Sequence, residues 1–145
     1  MNTILMAAAV TVLDQAVKWF VQNHMELGES IPLIPGIFHL TYIINHGAAF
    51  GILKYQYLFF LGIVAVLFAA YAWMRKRIPQ KPVYFPLAVG LLLGGALGNA
   101  IDRGRMQGVV DFFDFRVWPI FNIADIAICV GTALILFYFW RHSES

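Results

Sequence analysis

This chain has little charge, one cysteine and no histidine pair at metal-ligand spacing, and each shortage removes a class of function. Charged residues make up 12% of its 145 residues, about half of the roughly 25% in an average soluble protein. Its ten Lys and Arg exceed its eight Asp and Glu by two. They form no long block, so the sequence offers no electrostatic footprint for nucleic acid. The single Cys129 excludes an internal disulfide and a thiolate metal cluster, and its apolar neighbours predict a packing role inside a helix. His24, His39 and His46 fit no zinc spacing and read as surface histidines, so no metal or cofactor is expected. The first twenty residues lack a basic front and contain Asp14, Gln15 and Lys18, which predicts a retained helix in place of a cleaved signal peptide.

What the chain has in excess is apolar length. It is 61% hydrophobic with a mean hydropathy of +0.73, the signature of an integral membrane protein, and its length predicts one domain over residues 1–145. About 20 residues cross the hydrocarbon core, and four stretches qualify, at about 3–22, 57–74, 82–101 and 117–140. The first is interrupted by Asp14, Gln15 and Lys18. Asp14 and Lys18 share a helical face with Gln15 beside them, so all three can turn into a bundle interior, as part of a site or as an ion pair that orders the helices. The second stretch carries no charge and runs into Arg75-Lys76-Arg77 and Lys81, the most basic loop, which predicts a cytoplasmic loop. Gly90, Gly94 and Gly98, with Gly95 beside them, form a small-residue stripe on the third. Close helix packing is its ordinary meaning; a lowered groove wall is the other. Trp19, Trp73, Trp118 and Trp140 each fall near a predicted helix end, as an aromatic belt requires.

This topology puts both termini on the cytoplasmic side and residues 23–55 and 102–117 outside. Within the first outer segment, Ser30 to Ile34 and Ile37 to Ile44 flank Pro35-Gly36 and are rich in β-branched residues, so a small hairpin at the membrane surface is predicted. The fold class expected is therefore membrane α-helical, with four transmembrane helices and a small extracytoplasmic β-hairpin or sheet.

The polar residues concentrate between Asn99 and Asp125, where Asp102, Asp111, Asp114 and Asp125 supply half of the eight acids. A carboxylate kept at or below a lipid surface has a high desolvation cost, so such a cluster is a functional-site hypothesis. The expected helices put Asp102 at the outer end of the third, Asp111 in the outer loop and Asp125 roughly 8 Å below the outer end of the fourth. Asp14 approaches the same side. Acids gathered at one face do not line a path across the bilayer, which argues against a proton relay; a small transporter or channel using Asp14 and Asp125 is the alternative, and a purely structural membrane protein the plainest reading. Two close carboxylates share one proton, so one can act as a base on water while the other protonates a leaving amine. A Ser-Lys scheme would need Ser30 with Lys18 or Lys54, and Cys129 has no nearby histidine. If residues 109–115 are extended, Asp111 and Asp114 point to opposite faces and cannot both address the fourth helix.

Five motifs occur in order over nearly the whole chain: D-Q-x-x-K at Asp14 to Lys18, N-x-G-A-A-F-G at Asn45 to Gly51, G-N-x-x-D-R at Gly98 to Arg103, V-V-D-F at Val109 to Phe112, and F-N-x-A-D at Phe121 to Asp125. Together they resemble the bacterial lipoprotein signal peptidases, the signal peptidase II family. The resemblance implies a membrane aspartic endopeptidase that cleaves prolipoproteins just before a diacylglyceryl-modified cysteine, without metal or cofactor. It implies Asp111 and Asp125 as the catalytic dyad. Asn99, Arg103 and Asn122 would line or brace the site, with Asn45, Gly47, Asp14, Gln15, Lys18 and Asp102 around it. It also implies an outer β-sheet cradle and a monomer in the bacterial cytoplasmic membrane, with the site near the extracytoplasmic face. The expected partners are lipidated prolipoprotein and membrane lipids. An acyl chain arrives by lateral diffusion, so such an enzyme needs a groove open to lipid and a dyad near headgroup level.

Overall fold

The structure is a computed structural model, and it describes residues 2–47 and 56–143. The elements run α1 (Asn2–His24), β1 (Ser30–Ile34), β2 (Phe38–Asn45), α2 (Gln56–Met74), α3 (Tyr84–Met106), β3 (Val109–Asp114) and α4 (Ile123–His142). Each helix is long and apolar enough to cross a membrane. The shortest, α2 at 19 residues, extends about 28 Å at 1.5 Å per residue.

Helix α3 is the centre of the bundle, packed on α1 and α4, with α2 against it as well. The glycine stripe explains how closely they approach, and the packing reading is the one that holds. A Cβ at Gly94 would lie 2.6 Å from the Ala7 carbonyl of α1, and one at Gly90 would lie 2.6 Å from the Thr3 carbonyl. On the neighbouring face a Cβ at Gly95 would meet the Ala124 carbonyl of α4 at 2.5 Å. The surfaces left outward are rich in large apolar side chains such as Leu5, Phe59 and Leu136, the inverse of a soluble protein and suited to lipid contact. Trp19 and Trp118 lie toward the end where the sheet sits; Trp73 and Trp140 lie toward the other.

Pro35-Gly36 turns the predicted hairpin, with Gly36 at φ +75°. The hairpin is joined by a third strand, giving one antiparallel sheet in the order β1-β2-β3. β3 pairs with β2 through Ile43↔Asp111 and Asn45↔Val109. Its inner face closes over the end of α1 through Val110, Phe112, Tyr42 and Val21. Two predicted boundaries shift. Helix α3 runs on to Met106 instead of ending near 101, so Asp102 lies a turn inside it. Helix α4 begins at Ile123, not 117: Phe121 is drawn into an isolated bridge with Phe113, and Phe112 and Phe113 both donate to its carbonyl, at 3.0 and 2.9 Å.

Candidate active site

Asp111 sits in the middle of β3, 3% exposed, and Asp125 sits in the first turn of α4. Asp125 thus lies at the entrance of its helix and not roughly 8 Å below the outer end, where the sequence placed it. Asn122 caps α4: its Oδ1 accepts from Asp125 N at 2.9 Å, and Asp125 Oδ2 accepts from Asn122 N at 3.1 Å. This reciprocal capping box satisfies two otherwise free helix N–H groups and fixes the Asp125 carboxylate. The remaining Asp125 oxygen accepts from Asn99 Nδ2 at 2.9 Å.

Asn122 also faces the other aspartate. Fully buried, it holds its Nδ2 at 2.8 Å from Asp111 Oδ1, 3.0 Å from Asn99 Oδ1 and 3.2 Å from the Val110 carbonyl. Asn122 therefore holds both aspartates, the Asp111 carboxylate through its side chain and the Asp125 carboxylate through its backbone N–H. Asn45, at the end of β2, donates from Nδ2 to Asp111 Oδ2 at 3.3 Å and accepts from Gly47 N at 3.0 Å. Burial, then the nearby Asp125 charge, push the Asp111 carboxyl up to about 7, against the hydrogen bonds from Asn45 and Asn122. At neutral pH this carboxyl can hold a proton.

The two aspartates open on one cleft of about 260 Å³, lined also by Asn45, Gly47, Gln56, Phe60, Asn99, Arg103, Val109 and Ile120. Arg103 places its guanidinium 4.3 Å over the Phe60 ring, tying α2 to the site. Gln56, Phe60 and Ile120 had no signal in the sequence, since each lies in a run that reads as plain span or loop. A larger apolar groove of about 510 Å³ runs from Trp118 to Val130 and shares Asp125 with the cleft. Cys129 is exposed on its wall, not packed in a core.

Behind Asp111 and Asp125 lies a buried ionic network. Lys18 Nζ reaches Asp14 Oδ2 at 2.8 Å, Asp102 Oδ2 at 2.9 Å and Asn99 Oδ1 at 3.0 Å. Gln15 Nε2 donates to Asp102 Oδ1 and the Gly98 carbonyl, both at 2.9 Å. Each acid then holds backbone next to Asp125 or Asp111: Asp14 Oδ1 accepts from Ala124 N at 2.9 Å, and Asp102 Oδ2 from Val110 N at 3.0 Å. Gly98 stands against the Asp14 carboxylate, where any side chain would block the approach. The Asp14-Lys18 pair thus orders the helices and frames the site at once.

Asp114 is kept apart. It accepts from Thr41 Oγ1 and Arg116 Nη1, both at 2.7 Å, and from Arg116 N at 2.8 Å, and these bonds hold its carboxyl below the usual range, the Thr41 bond most. The opposite-face expectation for Asp111 and Asp114 agrees with these separate partners. Ala48, Ala49, Phe50 and Gly51 of the Asn45 motif lie outside the described residues, as does Lys54. Among the described residues no group of three metal-ligating side chains is assembled.

The sequence profile described as Signal peptidase (SPase) II matches residues 6–141. The lipoprotein signal peptidase of Halothermothrix orenii is 46% identical over 136 residues, covering 93% of this chain and 92% of that protein. That of Pelotomaculum thermopropionicum is 44% identical, covering 99% and 95%. A bacterial membrane enzyme solved by the in meso method at 1.9 Å superposes with a TM-score of 0.87 at 35% identity, over 97% of this chain and 93% of that one. A bundle of four membrane-length helices, a three-stranded sheet at one end and near full-length similarity lead to one conclusion: the chain belongs to the signal peptidase II family, aspartic endopeptidases that remove signal peptides from prolipoproteins.

Proposed function

We propose that Asp111 and Asp125 are the catalytic dyad, acting on a prolipoprotein just before a diacylglyceryl-modified cysteine. The observation that carries this reading is the shared cleft, in which Asn122 donates to both carboxylates, to Asp111 from its side chain and to Asp125 from its backbone N–H. Asp125, fixed by the capping box at the start of α4, is assigned as the base. Asp111, pushed up to about 7, is the member suited to hold the proton. Water attacks the scissile carbonyl while Asp125 takes its proton and Asp111 donates to the carbonyl oxygen; collapse of the tetrahedral intermediate then breaks the C–N bond as a proton passes to the departing amine. No step needs a metal or cofactor.

The other site residues are assigned by what they touch. Asn99, Asn122 and Asn45 orient the two carboxylates, and Gly47 anchors Asn45. Asp14, Gln15, Lys18 and Asp102 hold α4 and β3 in place behind them. Arg103 lines the cleft on the α2 side. The apolar groove beside Asp125 is suited to an acyl chain of the substrate entering from the bilayer. We place this single-domain protein in the bacterial cytoplasmic membrane as a monomer, with the loop at residues 75–81 and both chain ends inside and the dyad near the outer face. The acids cluster at one end of the bundle, which favours a surface protease over a transporter or channel. The direct test is to incubate the purified protein with a lipidated prolipoprotein and follow its mass. Loss of the signal peptide at the bond before the modified cysteine is expected; no cleavage, or cleavage elsewhere, would overturn the assignment.

A further inference from the structure

The end of the bundle away from the dyad carries a second groove that the protease chemistry does not use. Helix α2 has no buried residue; it rests on α3 and leaves a wedge between itself and α4. This wedge holds about 430 Å³ and is walled by Leu67, Tyr71 and Met74 of α2, Leu92 of α3, and Ile135 and Phe139 of α4. Arg77 stands at its mouth, with its guanidinium 5.5 Å over the Trp73 ring. Arg75, Lys76 and Lys81 are exposed beside it. Among the described residues none of these four cations pairs with a carboxylate, and residues 56–98 contain no acid at all.

We propose that this wedge binds an anionic phospholipid from the leaflet at that end, with an acyl chain between α2 and α4 and the phosphate on Arg77 and its basic neighbours. An apolar cleft at this depth has no use for water, and hydrocarbon is the solvent at hand. At about 30 Å³ each, the volume of a water in the liquid and close to that of a methylene, the wedge admits on the order of a dozen chain carbons. A guanidinium matches two phosphate oxygens at once, and basic pockets between membrane helices select anionic headgroups. Charge fixes the class of lipid; the groove fixes its place.

The test is native mass spectrometry of the full chain in detergent, titrated with phosphatidylglycerol or with phosphatidylcholine of the same acyl chains. Phosphatidylglycerol should bind on the order of tenfold more tightly than phosphatidylcholine. Arg77→Gln should weaken phosphatidylglycerol about fivefold, the loss expected for one basic contact, and leave phosphatidylcholine unchanged. Ala70→Phe, at an exposed position on the groove wall, fills the wedge without touching any charge and should lower the binding of both lipids. Equal binding of the two lipids would overturn the proposal. So would a phosphatidylglycerol preference that survives Ala70→Phe, since it would reflect general attraction to a basic surface. Neither readout depends on peptidase activity.

Discussion

Replacing Asp111 with Asn separates the catalytic role proposed for this carboxyl from its energetic one. The native protein holds Asp111 in a site where ionisation is disfavoured, by burial first and by Asp125 second. Its carboxyl is raised from 3.8 to about 7, so the folded state binds the proton more tightly than the unfolded state. That contribution to stability is fully present below the unfolded value and is lost as pH rises toward and through the folded one. At 1.36 kcal/mol per pH unit the whole interval is worth on the order of 4 kcal/mol. An amide cannot ionise, so Asp111→Asn escapes this loss. Its cost is one hydrogen bond: the amide can still accept from Asn122, but its own NH2 would face Asn45 Nδ2, now 3.3 Å from the carboxylate, a loss of about 1 kcal/mol. The variant should therefore be less stable than the parent in acid, cross it at about pH 4.5, and exceed it by roughly 3 kcal/mol above neutrality. Thermal unfolding in detergent across that range reads the difference directly. Turnover should be absent throughout, and in the parent kcat/KM should fall as pH rises past about 7, where the proton is lost. A stability difference that does not change with pH, or a parent more stable than the variant at about pH 8, would refute the argument.

Further expectations follow from the other contacts. Asp125→Asn should abolish cleavage, and adding it to Asp111→Asn should cost little more because the pair acts as a unit; Asp114→Asn, tied to Thr41 and Arg116, should keep most of its activity in the same prolipoprotein assay. Lys18→Met strands Asp14 and Asp102, both about 1% exposed or less, and should lower stability by about 3–5 kcal/mol in thermal unfolding, with part recovered when Asp14→Asn is added. Single cysteines at positions 35 and 107, in a Cys129→Ala background, should be labelled by an impermeant reagent from outside and one at 79 should not; the reverse pattern would put the dyad on the wrong side for an exported substrate. Cleavage should survive strong chelators, and its restoration by zinc after chelation would sink the aspartic mechanism.

Much of the architecture was legible because its signals are local. Apolar runs of membrane length mark the helices, Arg75-Lys76-Arg77 marks the loop between two of them, and Pro35-Gly36 between β-branched stretches marks the hairpin. Asn122 and Asp125 also form an N-x-x-D pattern, a cap followed three residues later by an acid, that could have placed the start of α4 correctly. The apolar run from Val117 concealed it: Ile120 and Phe121 read as helix by hydropathy, although Phe121 spends its backbone on a bridge to β3.

Composition and order of motifs were enough to establish a membrane protein, its hairpin, its family resemblance and the two aspartates that resemblance implies, because each rests on spans of a few to twenty residues. What only the tertiary structure decided is how distant residues meet. Gln15 reaches Asp102 across 87 positions and Asp14 reaches Ala124 across 110, and no periodicity records such pairs. They form because Gly94, Gly95 and Gly98 let α1 and α4 approach α3 until backbone and carboxylate touch. The same packing makes Lys18 the counter-ion of two acids instead of one, joins a third strand to the hairpin and brings Asn122 between Asp111 and Asp125. A buried polar group can remain in such an interior only with its partners in place, and the fold, acting over the whole chain, supplies them.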